Sequence, residues 1–325
     1  MFMKYAPDKT RLKFMKLRVP SFIFSVVAVI LSIVLVFTQG LNLGIDFRGG
    51  SVLETTKPDN VEVQDVRNVL SGLGLGEVVI NEALGTGVEA KRVLVIRLAT
   101  QDVADGEDSE LAQQEATDLV ENTLLEAFPE MEKPSRETIG PKVSGELFQA
   151  GITALGVALA MMLVYIWFRF EWQFSLGAVA ALIHDVILTM GIFAALQLEF
   201  NLSTIAALLT IIGYSMNDTV VVFDRVREEA RKYKKMPTIQ LIDLSLNGTL
   251  SRTLLTSGTT LLALLAIFVL GGPVLRGMSF ALIWGVIVGT YSSVFVASSL
   301  LLALPEKWRH GREPSNDDAQ FGFSG

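Results

Sequence analysis

Six apolar stretches, residues 20–38, 147–168, 173–198, 200–223, 244–275 and 278–304, leave this chain one class of fold. Each is long enough to cross a hydrocarbon core of about 30 Å as a helix. Inside lipid the backbone has to satisfy its own polar groups, so runs of this length are read as helices. Half of the 325 residues are hydrophobic and mean hydropathy is +0.46, which agrees with a polytopic membrane protein. The chain has no cysteine, which excludes disulfides, thiolate zinc sites and cysteine nucleophiles. Two histidines, His184 and His310, are too few for a histidine-built metal site.

Charge orients the spans. Residues 1–19 carry Lys4, Lys9, Arg11, Lys13, Lys16 and Arg18 ahead of the first span, which places the N-terminus in the cytoplasm. A cleaved signal peptide is the alternative for this end, but the run is long and no small-x-small site follows it. Within the rest of the chain the contrast repeats. Segment 224–243, read as a cytoplasmic loop, holds Arg225, Arg227, Arg231, Lys232, Lys234 and Lys235, whereas the outer turns at 199–201 and 271–277 hold only Arg276 among positive charges. Six spans then return the C-terminus to the cytoplasm, with 305–325 as a polar tail expected to be disordered.

Residues 41–146 are different in kind. Nine Lys and Arg stand against 21 Asp and Glu, about twelve net negative charges of a chain total of −7. The first span delivers this segment to the outer face. Its pattern predicts a strand at 45–57, a helix at 61–73 through Val66, Val69, Leu70 and Leu73, and strands at 77–84 and 92–100 joined by the turn-rich 85–87. A helix at 109–128 with Ser109 as N-cap and a last strand at 134–139 complete a βαββαβ order, that of a ferredoxin-like α/β domain. It contains no Gly-rich phosphate loop, catalytic triad or metal spacing, so a binding or spacer domain is expected, not an enzyme.

The ionisable residues inside the spans carry what chemistry there is. Asp218 interrupts the fourth span, and a carboxylate at bilayer depth costs about 2.5–3.5 kcal/mol by insertion scales, so it needs a partner or a water-filled path. At a helical rise of 1.5 Å, it lies about 9 Å inside the cytoplasmic boundary marked by Asp224, and Arg252 lies about 13 Å along the fifth span from Asp243. Asp185, fourteen residues from both Glu171 and Glu199, falls near the midplane beside His184. Arg252, Thr256, Thr259 and Thr260 share one face of the fifth span, and the pair Asn217–Asp218 is its natural neighbour. Plainer readings stand beside these. Asp218 could only tie helices together, the threonines could bond back to their own helix, Arg252 could snorkel to the interface, and His184–Asp185 could be a self-contained packing pair. Gly285 and Gly289 form a GxxxG match that close helix packing explains.

Five stretches carry a resemblance: GIDFRGGS at 44–51, YIWFRFEW at 165–172, ALIHDVILTMGIF at 181–193, IIGYSMNDTVVVFDRVRE at 211–228 and LSRTLLTSGTTLLALLAIFVLGGPVLRGMSF at 250–280. In order and spacing they resemble the SecD/SecF family of bacterial protein export, on the side of its smaller member, SecF. The resemblance covers nearly all of 20–304. It implies a resistance-nodulation-division type of membrane fold in the bacterial inner membrane, with six spans and one periplasmic domain between the first two. It implies a complex with SecD beside the SecYEG channel, often with YajC, acting on unfolded preprotein after the ATP-driven steps of SecA. It further implies that the acid of the NDT motif and the arginine of the RT motif, here Asp218 and Arg252 with Thr256 beside them, conduct protons. Protons would be the coupling ion, with no cofactor and no nucleic-acid partner expected. Two rivals remain at this level: half of a proton-coupled small-molecule exporter, and a non-conducting assembly scaffold.

Overall fold

The structure, a computed structural model, describes residues 10–76, 78–84, 92–101 and 109–304. The basic residues before Thr10, the turn at 85–87 and the tail from 305 lie outside them. A 3₁₀ turn, Phe14–Leu17, leads into α1, Arg18–Thr38, the first of six helices among the described residues that are long and apolar enough to span a bilayer. Short elements follow: β1 at Asn42–Leu43 and α2 at Ile45–Arg48. The external domain is built from β2 (Gly50–Thr56), α3 (Val63–Ser71), β3 (Val78–Leu84), β4 (Arg92–Leu98), α4 (Ser109–Ala127) and β5 (Ser135–Ile139).

Its sheet runs β3-β4-β2-β5 with every neighbouring pair antiparallel, a split βαβ arrangement. Period-two burial puts Leu94, Ile96 and Leu98 of β4 and Leu53 of β2 on one face. Val66 and Leu70 of α3 and Val120 and Leu124 of α4 cover that face as one core. A capping box between Glu62 and Asp65 starts α3 two residues later than the apolar periodicity suggests. Ser109 is the first residue of α4 and not its N-cap; the residue before it lies outside the described residues.

The first strand begins later than 45. Ile45–Arg48 is a helical turn, and Gly49 and Gly50 follow it at φ of 74° and 118°. A Cβ at Gly50 would sit 2.3 Å from the Leu98 carbonyl oxygen, so only glycine lets β2 enter the sheet there. The alternation of Ile45 and Phe47 mimics a strand, but Asp46 is engaged elsewhere: its Oδ2 accepts the Leu202 backbone N–H at 2.6 Å.

The membrane part continues with α5 (Pro141–Arg169), α6 (Trp172–Leu196), β6 (Glu199–Phe200), α7 (Leu202–Lys232), α8 (Thr238–Leu270) and α9 (Gly272–Ser292). A π turn, Ser293–Ala297, and α10, Ser298–Ala303, complete the last span. The segment 224–243 is not a loop. Helix α7 runs on to Lys232, a turn covers 233–237, and α8 starts at Thr238. The charges that suggest a loop support the helix instead, through Arg225–Glu229 at 2.5 Å and Lys232–Glu228 at 2.6 Å, both i,i+4. Val226, Ala230, Leu241 and Ile242 continue the apolar core past residue 223.

Helices α6, α7 and α9 are buried over more than half of their most apolar stretch, and α1, α5 and α8 over less than a fifth. The first three therefore form the centre and the others its margin. Small residues let the central helices close: Gly285 lies against Ile211 and Gly289 against Ser215, while Gly191 of α6 lies against Ser32 of α1. The external domain is fixed to the bundle at β1–β6, which pair in parallel, by an ion pair between Arg97 and Glu199, and by Phe47 packed on Phe148 and Phe200.

Candidate functional site

The two acids of the central helices sit in one polar seam. Asp218 on α7 is 7% exposed and Asp185 on α6 is 1% exposed. Asp218 Oδ1 accepts the Thr253 hydroxyl of α8 at 2.7 Å, and its Oδ2 accepts the Ser293 hydroxyl of the π turn at 2.7 Å. Asp185 Oδ2 accepts two hydroxyls, Ser215 of α7 at 2.6 Å and Ser292 of α9 at 2.8 Å. Its Oδ1 lies 2.9 Å from His184 Nδ1. Each acid thus ties its own helix to two others.

Sequence order explains the convergence. Ser215 and Asp218 are one helical turn apart on α7 and so share a face. Ser292 and Ser293 are consecutive at the change from α to π winding, where the Ser298 side-chain hydroxyl donates to the Ser293 carbonyl at 3.1 Å. Single π turns in helices are frequent at functional sites, because they re-aim side chains without breaking the span.

The seam extends both ways. The His184 ring stacks on Tyr291, whose hydroxyl donates to the Ser21 carbonyl at 2.8 Å and lies 2.9 Å from Ser25 Oγ on α1. His184 Nε2 is buried with no hydrogen-bond partner among the described residues. Tyr214 donates to Ser257 at 3.3 Å, and Ser257 is 2.9 Å from Thr290. Beyond Asp218 on α7, Phe223 packs edge-on with Phe170 and Phe174, and Arg169 and Arg227 lie over the Phe170 ring.

Three residues that the sequence groups with Asp218 are not at it. Arg252 and Thr256 lie on an exposed face of α8, and Asn217 on an exposed face of α7. Thr256 and Thr259 donate to carbonyls of their own helix, Thr256 to that of Arg252 at 3.0 Å. The inward face of α8 is instead Thr249, Thr253 and Ser257, spaced i, i+4, i+8 and all buried. Among the described residues no cation is ion-paired with Asp218, and Asp185 has His184 alone. A buried acid held only by hydroxyls has its charge balanced by a proton or by a cation that arrives. No group of three His, Asp or Glu suited to a metal occurs among the described residues.

Sequence reasoning misses Ser215, Thr253, Ser292 and Ser293 as site residues. The available signal is the second hydroxyl stripe on α8 and the Ser292–Ser293 pair in an apolar run, both weaker than a charge.

Residues 119–307 match the model of the family described as "Protein export membrane protein SecD/SecF, C-terminal", and residues 34–56 match the "SecD/SecF GG Motif". The chain is 48% identical to the protein translocase subunit SecF of Cereibacter sphaeroides, over 98% of this chain and 97% of that one. It is 46% identical to that of Rhodobacter capsulatus over 97% and 95%, and 41% identical to that of Rickettsia bellii over 94% and 97%. The crystal structure of SecDF, a translocon-associated membrane protein from Thermus thermophilus, superposes with a TM-score of 0.77 at 36% identity, over 92% of this chain. The chain spans 39% of that longer one. SecDF in a super-membrane-facing form gives 0.63 at 34% identity, over 99% of this chain and 41% of that one. By family model and by near full-length relatives, the chain belongs to the SecD/SecF family of protein-export membrane proteins.

Proposed function

We propose that this chain is the SecF-type half of a SecD–SecF assembly that uses the proton-motive force to assist export of unfolded preproteins through SecYEG, with YajC as a further partner and after the ATP-driven work of SecA. It resides in the bacterial inner membrane with both termini in the cytoplasm and residues 41–146 in the periplasm. The observation that carries the proton reading is Asp218, buried in the centre of the bundle and held by two hydroxyls from two other helices, with no cation paired to it among the described residues.

Protonation at Asp218 needs no other group to change covalently. A proton added to Oδ2 removes the charge, and the Ser293 hydroxyl turns its own proton to the Thr290 carbonyl, 3.0 Å away. Loss of the proton restores the charge inside a low-dielectric bundle, which favours any rearrangement that brings a cation or water. Arg252 is assigned that part. It sits one residue before Thr253, so a rotation of α8 by about 100° exchanges the two side chains at Asp218. One charge crossing 100 mV supplies about 2.3 kcal/mol, enough to bias a two-state rearrangement of a few kcal/mol. His184 and Asp185 form the inner end of the same path, and Asn217 and Thr256 flank its outer side.

The test is export into vesicles with an imposed proton gradient and ATP held constant. Asp218→Asn keeps size and hydrogen bonding but cannot ionise, so it should assemble and lose the gradient-dependent part of export. Wild-type gradient dependence in this variant would place proton coupling elsewhere in the complex.

A further inference from the structure

The two acids are not independent. Ser292 and Ser293 are consecutive residues that face different carboxylates, and each hydroxyl has a second acceptor within its own helix. Ser292 Oγ reaches Asp185 Oδ2 at 2.8 Å and the Gly289 carbonyl at 3.1 Å. Ser293 Oγ reaches Asp218 Oδ2 at 2.7 Å and the Thr290 carbonyl at 3.0 Å. A hydroxyl has one proton to give. It gives it to the acid when the acid is charged, and to its own backbone when the acid is protonated and itself donates.

The backbone between the two serines is where the winding changes from α to π. Turning either hydroxyl loads or unloads an i−3 carbonyl within that junction, and the other serine is its direct neighbour. Asp185 and Asp218 are tied from the other side as well, since Ser215, a donor to Asp185, lies one turn from Asp218 on α7.

We propose that Ser292 and Ser293 are positioning residues that couple Asp185 to Asp218, so that His184–Asp185 and Asp218 form a two-station proton site. This rests on the proton-carrying role proposed for Asp218. The event at either station is a proton adding to or leaving a carboxylate oxygen, with hydroxyl rotation and no other bond made or broken. His184 Nε2, buried and without a partner among the described residues, is the point at which a water or a proton enters the inner station. Within the apolar stretches of the packed helices the other titratable or charged groups are Tyr165 on α5, Tyr214 on α7, Arg252 on α8 and Tyr291 on α9; the charged residues from Asp224 to Lys232 on α7, Asp243 on α8 and Arg276 on α9 lie nearer the helix ends. No charged residue of α1 or α5 is bonded to either acid among the described residues.

The full chain in lipid nanodiscs is titrated with pH while the infrared C=O band of protonated carboxyl is recorded; loss of the band in Asp218→Asn assigns it. Strongly interacting acids titrate as a pair, so Asp185→Asn should displace the Asp218 midpoint. The displacement should fall to below half in a Ser293→Ala background and be kept in Ser293→Thr, which retains the hydroxyl. Ser292→Ala, which leaves every group bonded to Asp218 in place, should move the midpoint in the same sense by a smaller amount, and supplies the measurement should Asp185→Asn not fold. An Asp218 midpoint that ignores both Asp185→Asn and Ser292→Ala overturns the coupling. A displacement equal in size with and without the Ser293 hydroxyl overturns the role of the serines, because it reports charge acting through space. Neither result touches the proposed function, whereas an Asp218 band that does not titrate at all sinks both.

Discussion

The Thr253 hydroxyl donates to Asp218 across 2.7 Å, while the side chain of its neighbour Arg252 lies on an exposed face of the same helix. The consequence is a sharp contrast between adjacent positions. Hydrogen bonds to charged groups contribute about 1.5–3 kcal/mol, and removing one leaves a buried acid with a single donor. Thr253→Val should therefore cut gradient-dependent export about tenfold or more, and Thr253→Ser should restore it. Thr256→Val removes a hydroxyl bonded to its own helix and should stay within about twofold of wild type. Export in vesicles measures all three, and a Thr256→Val defect as deep as that of Thr253→Val would mean that the wrong face of α8 has been turned toward Asp218.

That contrast also shows how far the sequence can be read. Charge is a loud signal, so Asp218, Asp185 and the span pattern are legible from composition and periodicity alone. Serine and threonine are quiet: on α8 two hydroxyl stripes one residue apart satisfy the same spacing, and the one bearing Arg252 looks the more polar. What decides between them is packing against α7 and α9, a tertiary fact. The helical extension of α7 is hidden for a related reason. Basic residues beyond a span read as a loop by hydropathy, yet the i,i+4 pairs Arg225–Glu229 and Glu228–Lys232 carry the helix into water. The βαββαβ order is accessible because strand and helix periods differ so plainly, whereas the helical turn at Ile45–Arg48 depends on how Asp46 and Gly50 meet distant segments.

Helix α1 should be sensitive to a single methyl group. A Cβ at Gly191 would lie 2.3 Å from Ser32 Cβ and 2.8 Å from its Cα, so the backbone itself has to move. Overpacking of this kind costs about 1–3 kcal/mol. Gly191→Ala should lower the thermal midpoint in detergent. Ser32→Gly should recover part of the loss, though not all, because the added methyl still crowds the α1 backbone. Unchanged stability of Gly191→Ala would show that α1 is not seated on α6 as described.

Sidedness can be read directly, because the chain has no cysteine. Asp59→Cys in the external domain and Lys235→Cys in the turn after α7 are both exposed positions. A membrane-impermeant thiol reagent applied to intact cells after outer-membrane permeabilisation should label the first and spare the second. Equal labelling of the two from outside would overturn the proposed topology.

The junction between the external domain and the bundle should respond to pH through Glu199. Burial pushes its carboxyl above the ordinary 4.5, with Asp46 and Glu54 adding to the rise and the Arg97 guanidinium opposing it. The folded protein thus holds this proton more tightly than the unfolded chain, so unfolding releases protons over the window between 4.5 and the raised folded value. The contribution to stability is fully present below 4.5 and is lost as pH rises through that window. Glu199→Gln should flatten this part of the pH profile of the unfolding midpoint. A profile that keeps the same slope in Glu199→Gln assigns the proton to another group.

Arg252 provides the most exacting test of movement. A guanidinium at an exposed position about 13 Å along α8 from Asp243 costs about 2.5–3.5 kcal/mol if it meets lipid, less the relief of snorkelling. If its only task is to reach the interface, Arg252→Leu should be neutral or stabilising and export should keep its gradient dependence. If it replaces Thr253 at Asp218 during the cycle, Arg252→Leu should abolish gradient-driven export while leaving assembly intact. Arg252→Lys keeps the charge but loses the planar fork, so a partial defect of roughly three- to tenfold is expected. The same logic fixes the double variant. With Asp218→Asn already in place there is no charge for Arg252 to meet, so adding Arg252→Leu should cost nothing further. A double variant clearly worse than Asp218→Asn would show that Arg252 acts on something other than this acid.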